Sequence, residues 1–235
     1  MTREEDIRNA VETMRRGGVI LYPTDTVWGI GCDATNVEAV KRVYQIKQRD
    51  DSKALICLVD SDARLQRYFR TIPDVAWQLI DSLQTPGDGS FLFDSNLAQT
   101  DQTKKNRPQV FDSKLAQVGQ TKKNRPRVFE KPTTLVLDGA INLAENLIAE
   151  DGSIGIRITN EPFSKELCFR FQKAIVSTSA NISGEPAAQN YCDIDPRILE
   201  AVDYVCWSRR QEHQPHMPSS IIKLKENGEV TIIRK

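Results

Sequence analysis

Short apolar runs rich in Val, Ile and Leu alternate along this chain with longer stretches at helical spacing, but without the regular rhythm of a doubly wound parallel sheet. Strands are expected at 19–22, 27–32, 54–59, 133–137, 154–158 and 175–177, where β-branched residues are bounded by Gly, Pro or hydroxyl clusters. Helices are expected over 6–16, which stops at Gly17-Gly18, over 37–46, from Ile72-Pro73 through Leu83, and from about Glu161 to Phe171. The end of the chain carries a hairpin pattern, with 219–224 and 230–234 joined across Glu226-Asn227-Gly228. The fold class these elements imply is α/β (α+β), with a mixed sheet flanked by helices.

One stretch stands outside that pattern. Residues 93–110 are repeated at 111–128 with changes at only four of 18 positions. A solenoid needs about three stacked repeats to bury a core, so two polar copies read as a duplicated surface insert. The single expected domain, 1–235, is therefore interrupted at about 85–130. Each copy carries Lys-Lys-Asn-Arg-Pro (Lys104, Lys105 and Arg107; Lys122, Lys123 and Arg125), a charge run that either is solvated or touches phosphates.

Lys+Arg and Asp+Glu balance at 32 each, which argues against a surface coated in positive charge for nonspecific nucleic-acid binding. Five scattered cysteines without a CxxC fit reduced thiols better than a disulfide framework or a thiolate zinc site. No apolar signal core or membrane-length run is visible, so a cytoplasmic protein with no membrane partner is the expectation.

Polar clusters fall where the expected elements end, which is where α/β proteins hold ligands. Lys47 and Arg49 close a helix; they cap its negative end or, with Lys53, grip phosphates. The run 177–184, Ser-Thr-Ser-Ala-Asn-Ile-Ser-Gly, is either a turn or an uncharged donor surface for ribose, phosphate or an amino-acid side chain. Thr24 and Thr26 flank Asp25 in a turn, with Trp28 two residues on. Arg157 interrupts an apolar strand, so it must be paired, with an acidic side chain of the protein or with a ligand carboxylate. His213 and His216 lack companion ligands and read as a loop, so no metal site is assigned. The glycine fingerprints of P-loop and dinucleotide folds are absent from the sequence.

Taken together, the strings Gly17 to Gly31 (GGVILYPTDTVWGIG), Lys47-Gln-Arg49, Lys53-Ala-Leu, Lys131-Pro-Thr-Thr-Leu-Val-Leu, Gly155-Ile-Arg157, Ser177 to Gly184 and Pro218-Ser219-Ser220-Ile-Ile resemble the YrdC-type threonylcarbamoyl-AMP synthases. The resemblance spans about 6–234 and skips the insert. It implies a twisted mixed parallel and antiparallel sheet around a basic cavity. It also implies a nucleotidyltransferase that makes threonylcarbamoyl-AMP and pyrophosphate from L-threonine, bicarbonate and ATP, with Mg2+ arriving on the ATP. By motif position, Lys47, Arg49, Lys53, Ser153, Ser179, Asn181 and Arg234 would serve ATP, with Lys47 and Arg49 catalytic. Thr26, Arg157, Ser177 and Ser219 would surround threonine. The product would pass to tRNA threonylcarbamoyl-transfer proteins, with possible direct contact to tRNA. Two departures touch the rim of the site: Trp28 stands where the family commonly has Tyr, and Glu130-Lys131-Pro132 replaces Pro-Gly-Pro. The competing readings are a non-catalytic module of the same fold that binds double-stranded RNA or tRNA, and a related carbamoyl transferase subdomain.

Overall fold

Helix α1, Arg3–Arg15, begins at a capping box in which the Thr2 hydroxyl accepts from the Glu5 N–H and the Glu5 carboxylate accepts from the Thr2 N–H. It buries Ile7, Ala10, Val11 and Met14 on one stripe, and it ends where Gly17 takes a left-handed φ of +80°. The computed structural model describes residues 1–49, 55–84, 132–212 and 218–235. Lys53, the whole repeated insert, His213 and His216 lie outside the described residues, so the expectations placed on them have no structural counterpart here.

After α1 come β1, Ile20–Tyr22, and β2, Gly29–Gly31, then α2, Val37–Lys47, and β3, Ile56–Val59. A short α3, Asp62–Leu65, and α4, Asp74–Gln84, precede β4, Thr133–Leu137, and β5, Ile154–Ile158. Helix α5, Pro162–Phe171, is capped by the Glu161 carboxylate on the Ser164 N–H, with Pro at its first position. It leads to β6, Ile175–Ser179, α6, Pro196–Ala201, β7, Tyr204–Val205, and the final hairpin of β8, Ser220–Leu224, and β9, Val230–Arg234.

The strands form one nine-stranded sheet in the order β7-β1-β2-β6-β3-β5-β4-β8-β9. β1/β7, β3/β5 and β4/β8 run parallel; the remaining neighbours are antiparallel. The mixed sheet with flanking helices agrees with the sequence expectation. Most of the expected segments fall within a few residues of observed elements, whereas α3, α6 and β7 had no counterpart in the sequence reading.

Directly paired residues share a sheet face. The registers Tyr22↔Gly29, Gly29↔Ser179, Ser177↔Ile56, Ile56↔Gly155 and Leu58↔Arg157 therefore place Tyr22, Ser177, Ser179, Gly155 and Arg157 on one side. Thr134↔Ile221 and Ile221↔Arg234 continue that side across β4, β8 and β9. A side chain on Gly31 would put its Cβ 2.6 Å from both Tyr22 Cε1 and the Val176 carbonyl oxygen. The glycine lets the buried Tyr22 ring cross β2. The alternate residues Leu21, Ile30, Cys57, Ile156, Val176 and Leu135 are buried hydrophobics on the opposite face.

Candidate functional site

Arg157 is the central cation of the polar face. Its side chain is only 3% exposed, and its Nη2 lies 3.0 Å from Asp25 Oδ1 and 3.5 Å from the Thr26 hydroxyl. Of the two partners foreseen for this arginine, the structure supplies the protein's own carboxylate. The contact is close but poorly aligned: Asp25 Oδ1 and Arg157 Nε are both buried and make no hydrogen bond within the protein. Burial raises the Asp25 pKa against the opposing pull of Arg157, and burial lowers that of Arg157 against the support of Asp25. Desolvation exceeds pairing on both sides.

The turn that carries Asp25 is braced from within and from outside. The Thr24 hydroxyl donates to the Val27 carbonyl at 2.6 Å and accepts from the Thr26 N–H at 3.1 Å. From the far side, Arg209 donates to the Thr24 carbonyl at 2.9 Å and pairs with Glu161 at 3.3 Å. Arg209 itself sits at φ +64°, and its segment is anchored on α1, where buried Asp6 accepts from the N–H groups of Trp207 and Ser208 and from the Tyr204 hydroxyl. Ser177 is buried on the same face, close to Gly29 and Tyr22.

A second polar group lies along β4, β8 and β9. Arg234 donates from Nε to the Ser219 carbonyl at 2.7 Å and from Nη2 to the Ser219 hydroxyl at 3.1 Å, and that hydroxyl is 3.1 Å from Thr134 Oγ1. Arg234 also lowers the Arg157 pKa through its charge, so the two groups share one electrostatic field. Residues expected to serve two different ligands, Arg234 and Ser219, are thus in direct contact.

At the C-terminus of α2 the chain turns on Gln48, which takes φ 49° and ψ 48°, and the Arg49 N–H returns to the Tyr44 carbonyl. Lys47 does not point outward. It is 2% exposed, and its ammonium donates to the carbonyls of Ser179 at 2.6 Å and Asn181 at 2.8 Å, with Asn181 Oδ1 at 3.5 Å. Burial, then the charge of Arg49, lowers its pKa to about 8. The Lys47 carbonyl in turn accepts from the Ser183 N–H, and Asn181 Nδ2 donates to the Ile182 and Glu185 carbonyls. The Ser179 hydroxyl donates to Asn181 Oδ1 at 2.5 Å. Lys47 therefore fastens the hydroxyl-rich loop to the helix end, while Arg49, partly buried with a lowered pKa, follows the left-handed residue.

Trp28 lies beneath this loop; its carbonyl accepts from the Ala180 N–H, and its ring meets Tyr191 at 5.2 Å. Ser153 is drawn into another local arrangement, with its hydroxyl and N–H both donating to Asp151 Oδ1. The Lys223 ammonium on the other carboxylate oxygen, together with Ser153, lowers the Asp151 pKa to about 2. The structure thus brings Thr26, Arg157 and Ser177 together, joins Ser219 to Arg234, and joins Lys47 to Ser179 and Asn181. Asp25, Thr134, Glu161 and Arg209 belong to the same constellation and were not assigned from sequence. Asp25 had a signal in its place between two threonines, and Thr134 in the Lys131-Pro-Thr-Thr string; Glu161 and Arg209 had none.

The family model Sua5_yciO_yrdC, described as telomere recombination, matches residues 12–111 and 111–235. The threonylcarbamoyl-AMP synthase of Pseudoalteromonas translucida is 29% identical over 205 residues, covering 87% of this chain and 86% of its own. That of Stenotrophomonas maltophilia is 29% identical over 203 residues, covering 86% and 85%. Among solved structures, E. coli YciO superposes with a TM-score of 0.70 at 21% identity, covering 100% of this chain and 90% of its own. P. abyssi Sua5 in complex with L-threonine gives 0.69 at 21% identity, with 95% of this chain covered. The chain spans 52% of that Sua5 protein's length. These structural likenesses are likenesses of fold.

Proposed function

This chain belongs to the Sua5/YciO/YrdC family, and we propose that it is a threonylcarbamoyl-AMP synthase that joins L-threonine, bicarbonate and ATP. The observation that carries the reading is the convergence of a buried arginine, Arg157, with the hydroxyls of Thr26 and Ser177 on one sheet face. The names of the relatives support it. A planar guanidinium in a desolvated setting is suited to a carboxylate, and the surrounding hydroxyls suit a small polar amino acid.

In this reading the threonine amine captures bicarbonate as a carbamate, and a carbamate oxygen attacks the α-phosphate of ATP to release pyrophosphate. No side-chain nucleophile is required. The protein's work is to hold the reactants in line and to neutralise phosphate charge. Arg157, Thr26, Ser177 and Ser219 surround threonine; Arg49, Arg234, Ser179 and Asn181 serve the nucleotide, with Lys53 and Ser153 completing the set. Lys47 acts chiefly by holding the Ser179–Asn181 loop. In this reading magnesium would arrive bound to the ATP and would help neutralise the phosphate charge, while Arg49 and Arg234 supply the protein's share of that charge. The adenylate would feed threonylcarbamoyl modification of tRNA through acceptor proteins. The test is pyrophosphate release from ATP, which should require both threonine and bicarbonate; release that needs neither would discard the reading.

A further inference from the structure

Asp25 is a buried carboxylate with no part in the roles above, and its surroundings ask for a partner. Its side chain is 13% exposed and stands 3.0 Å from Arg157 Nη2, yet Oδ1 is without a hydrogen bond and so is Arg157 Nε. A buried ion pair kept for stability alone would be expected to satisfy those atoms, because desolvating two charges without full hydrogen bonding is unfavourable. The backbone on both sides of Asp25 is nonetheless fixed, by Thr24 with Val27 and by Arg209 on the Thr24 carbonyl. The carboxylate is held in place with one of its oxygens, Oδ1, lacking a hydrogen bond.

An α-amino acid carries an ammonium and a carboxylate on one carbon, and Arg157 beside Asp25 presents the complementary pair of charges, in contact at 3.0 Å. We propose that Asp25 binds the ammonium of the amino-acid substrate and accepts its proton, freeing the amine to capture bicarbonate. This rests on the amino-acid reading of the site. The ammonium gives one proton to the Asp25 carboxylate. The nitrogen lone pair then forms the N–C bond to bicarbonate, the C–OH bond breaks, and the hydroxide departs as water with a second proton from nitrogen. Asp25 returns its proton to solvent. Threonine and bicarbonate thereby become carbamate, water and one proton.

The charged and titratable groups that bear on Asp25 are Arg157 from β5, Glu161 at the start of α5, Cys168 within α5, Arg209 from the segment after β7, and Tyr22 from β1. Burial raises the Asp25 pKa toward the range of a useful proton acceptor, with Glu161 adding to that rise and Arg157 and Arg209 opposing it.

The test measures binding and turnover on the full chain. Calorimetry compares L-threonine with 2,3-dihydroxybutanoate, in which a hydroxyl replaces the amine. The unmutated protein should prefer threonine by at least about tenfold, and Asp25→Asn should bring the two within about twofold. A merely structural role for Asp25 would weaken both ligands alike, and a retained preference in the variant overturns the proposal. Failure of the unmutated protein to bind threonine would instead overturn the amino-acid reading itself. In turnover, the acid limb of the kcat profile should follow an ionisation above the usual carboxylate range, vanish in Asp25→Asn and return in Asp25→Glu. An unchanged acid limb in Asp25→Asn again sinks the assignment.

Discussion

Replacing Lys47 by Met separates loop placement from folding. The ammonium is buried and donates to the Ser179 and Asn181 carbonyls. Methionine removes those charge-assisted bonds, whose loss costs roughly 1–3 kcal/mol per buried acceptor left unpaired. The Ser179 carbonyl keeps the Asn181 N–H, so about one acceptor is stranded. Against that loss, a pKa lowered from 10.5 to about 8 means the folded protein carries a charge-burial penalty of roughly 3 kcal/mol at neutral pH, which methionine relieves. The terms nearly cancel, so Lys47→Met should change stability at pH 7 by less than about 2 kcal/mol while abolishing pyrophosphate release, because the hydroxyl loop is no longer fixed. The pH dependence carries the sharper signature. Between pH 8 and 10.5 the unfolded chain binds more protons at Lys47 than the folded one, so this residue's contribution to stability rises with pH. In urea unfolding, the unmutated protein should gain roughly 2–3 kcal/mol on Lys47→Met between pH 7 and pH 10. The comparison between variants cancels the opposite trend from buried groups such as Cys57, whose thiol is pushed up to about 12. A stability difference that stays flat across this range would mean that the Lys47 ammonium is not desolvated in the folded protein.

Three further substitutions probe other levels of the structure. Arg49→Ala should lower turnover by about a hundredfold or more, as loss of a charge-neutralising group does, with unfolding within about 1 kcal/mol of the unmutated chain, checked by steady-state kinetics and urea titration. Gly31→Ala should destabilise by roughly 1–3 kcal/mol, because its Cβ would meet a backbone carbonyl and the Tyr22 ring at 2.6 Å, and thermal unfolding reads this directly. Asp6→Ala strands the N–H groups of Trp207 and Ser208 and removes the carboxylate acceptor of the Tyr204 hydroxyl; it should cost roughly 2–5 kcal/mol and raise the KM for threonine, since the anchored segment carries Arg209 to the Thr24 turn.

What the chain revealed before folding was local, and what it withheld was long-range pairing. The hairpin of β8 and β9 was legible because Asn227-Gly228 sits between alternating strands, and α1 was legible because its apolar stripe stops at a glycine pair. β7 was not, since two residues become a strand only by lying beside β1 far upstream, where Asp203 also accepts from the Val19 N–H. At the site, residue type and motif position pointed to Arg157, Thr26, Ser177 and Ser219. The identity of Arg157's partner depended on a turn more than a hundred residues away. The direction of Lys47 was illegible for another reason: its acceptors are backbone carbonyls, which leave no trace in side-chain chemistry.

Synthase activity is read by mass spectrometry of the nucleotide product formed from ATP, L-threonine and carbon-13 bicarbonate by the full chain with magnesium. A threonyl-bearing AMP adduct that carries one labelled carbon should appear in step with pyrophosphate. An adduct without the label, or pyrophosphate and free AMP with no adduct under rapid quenching, would contradict the synthase reading.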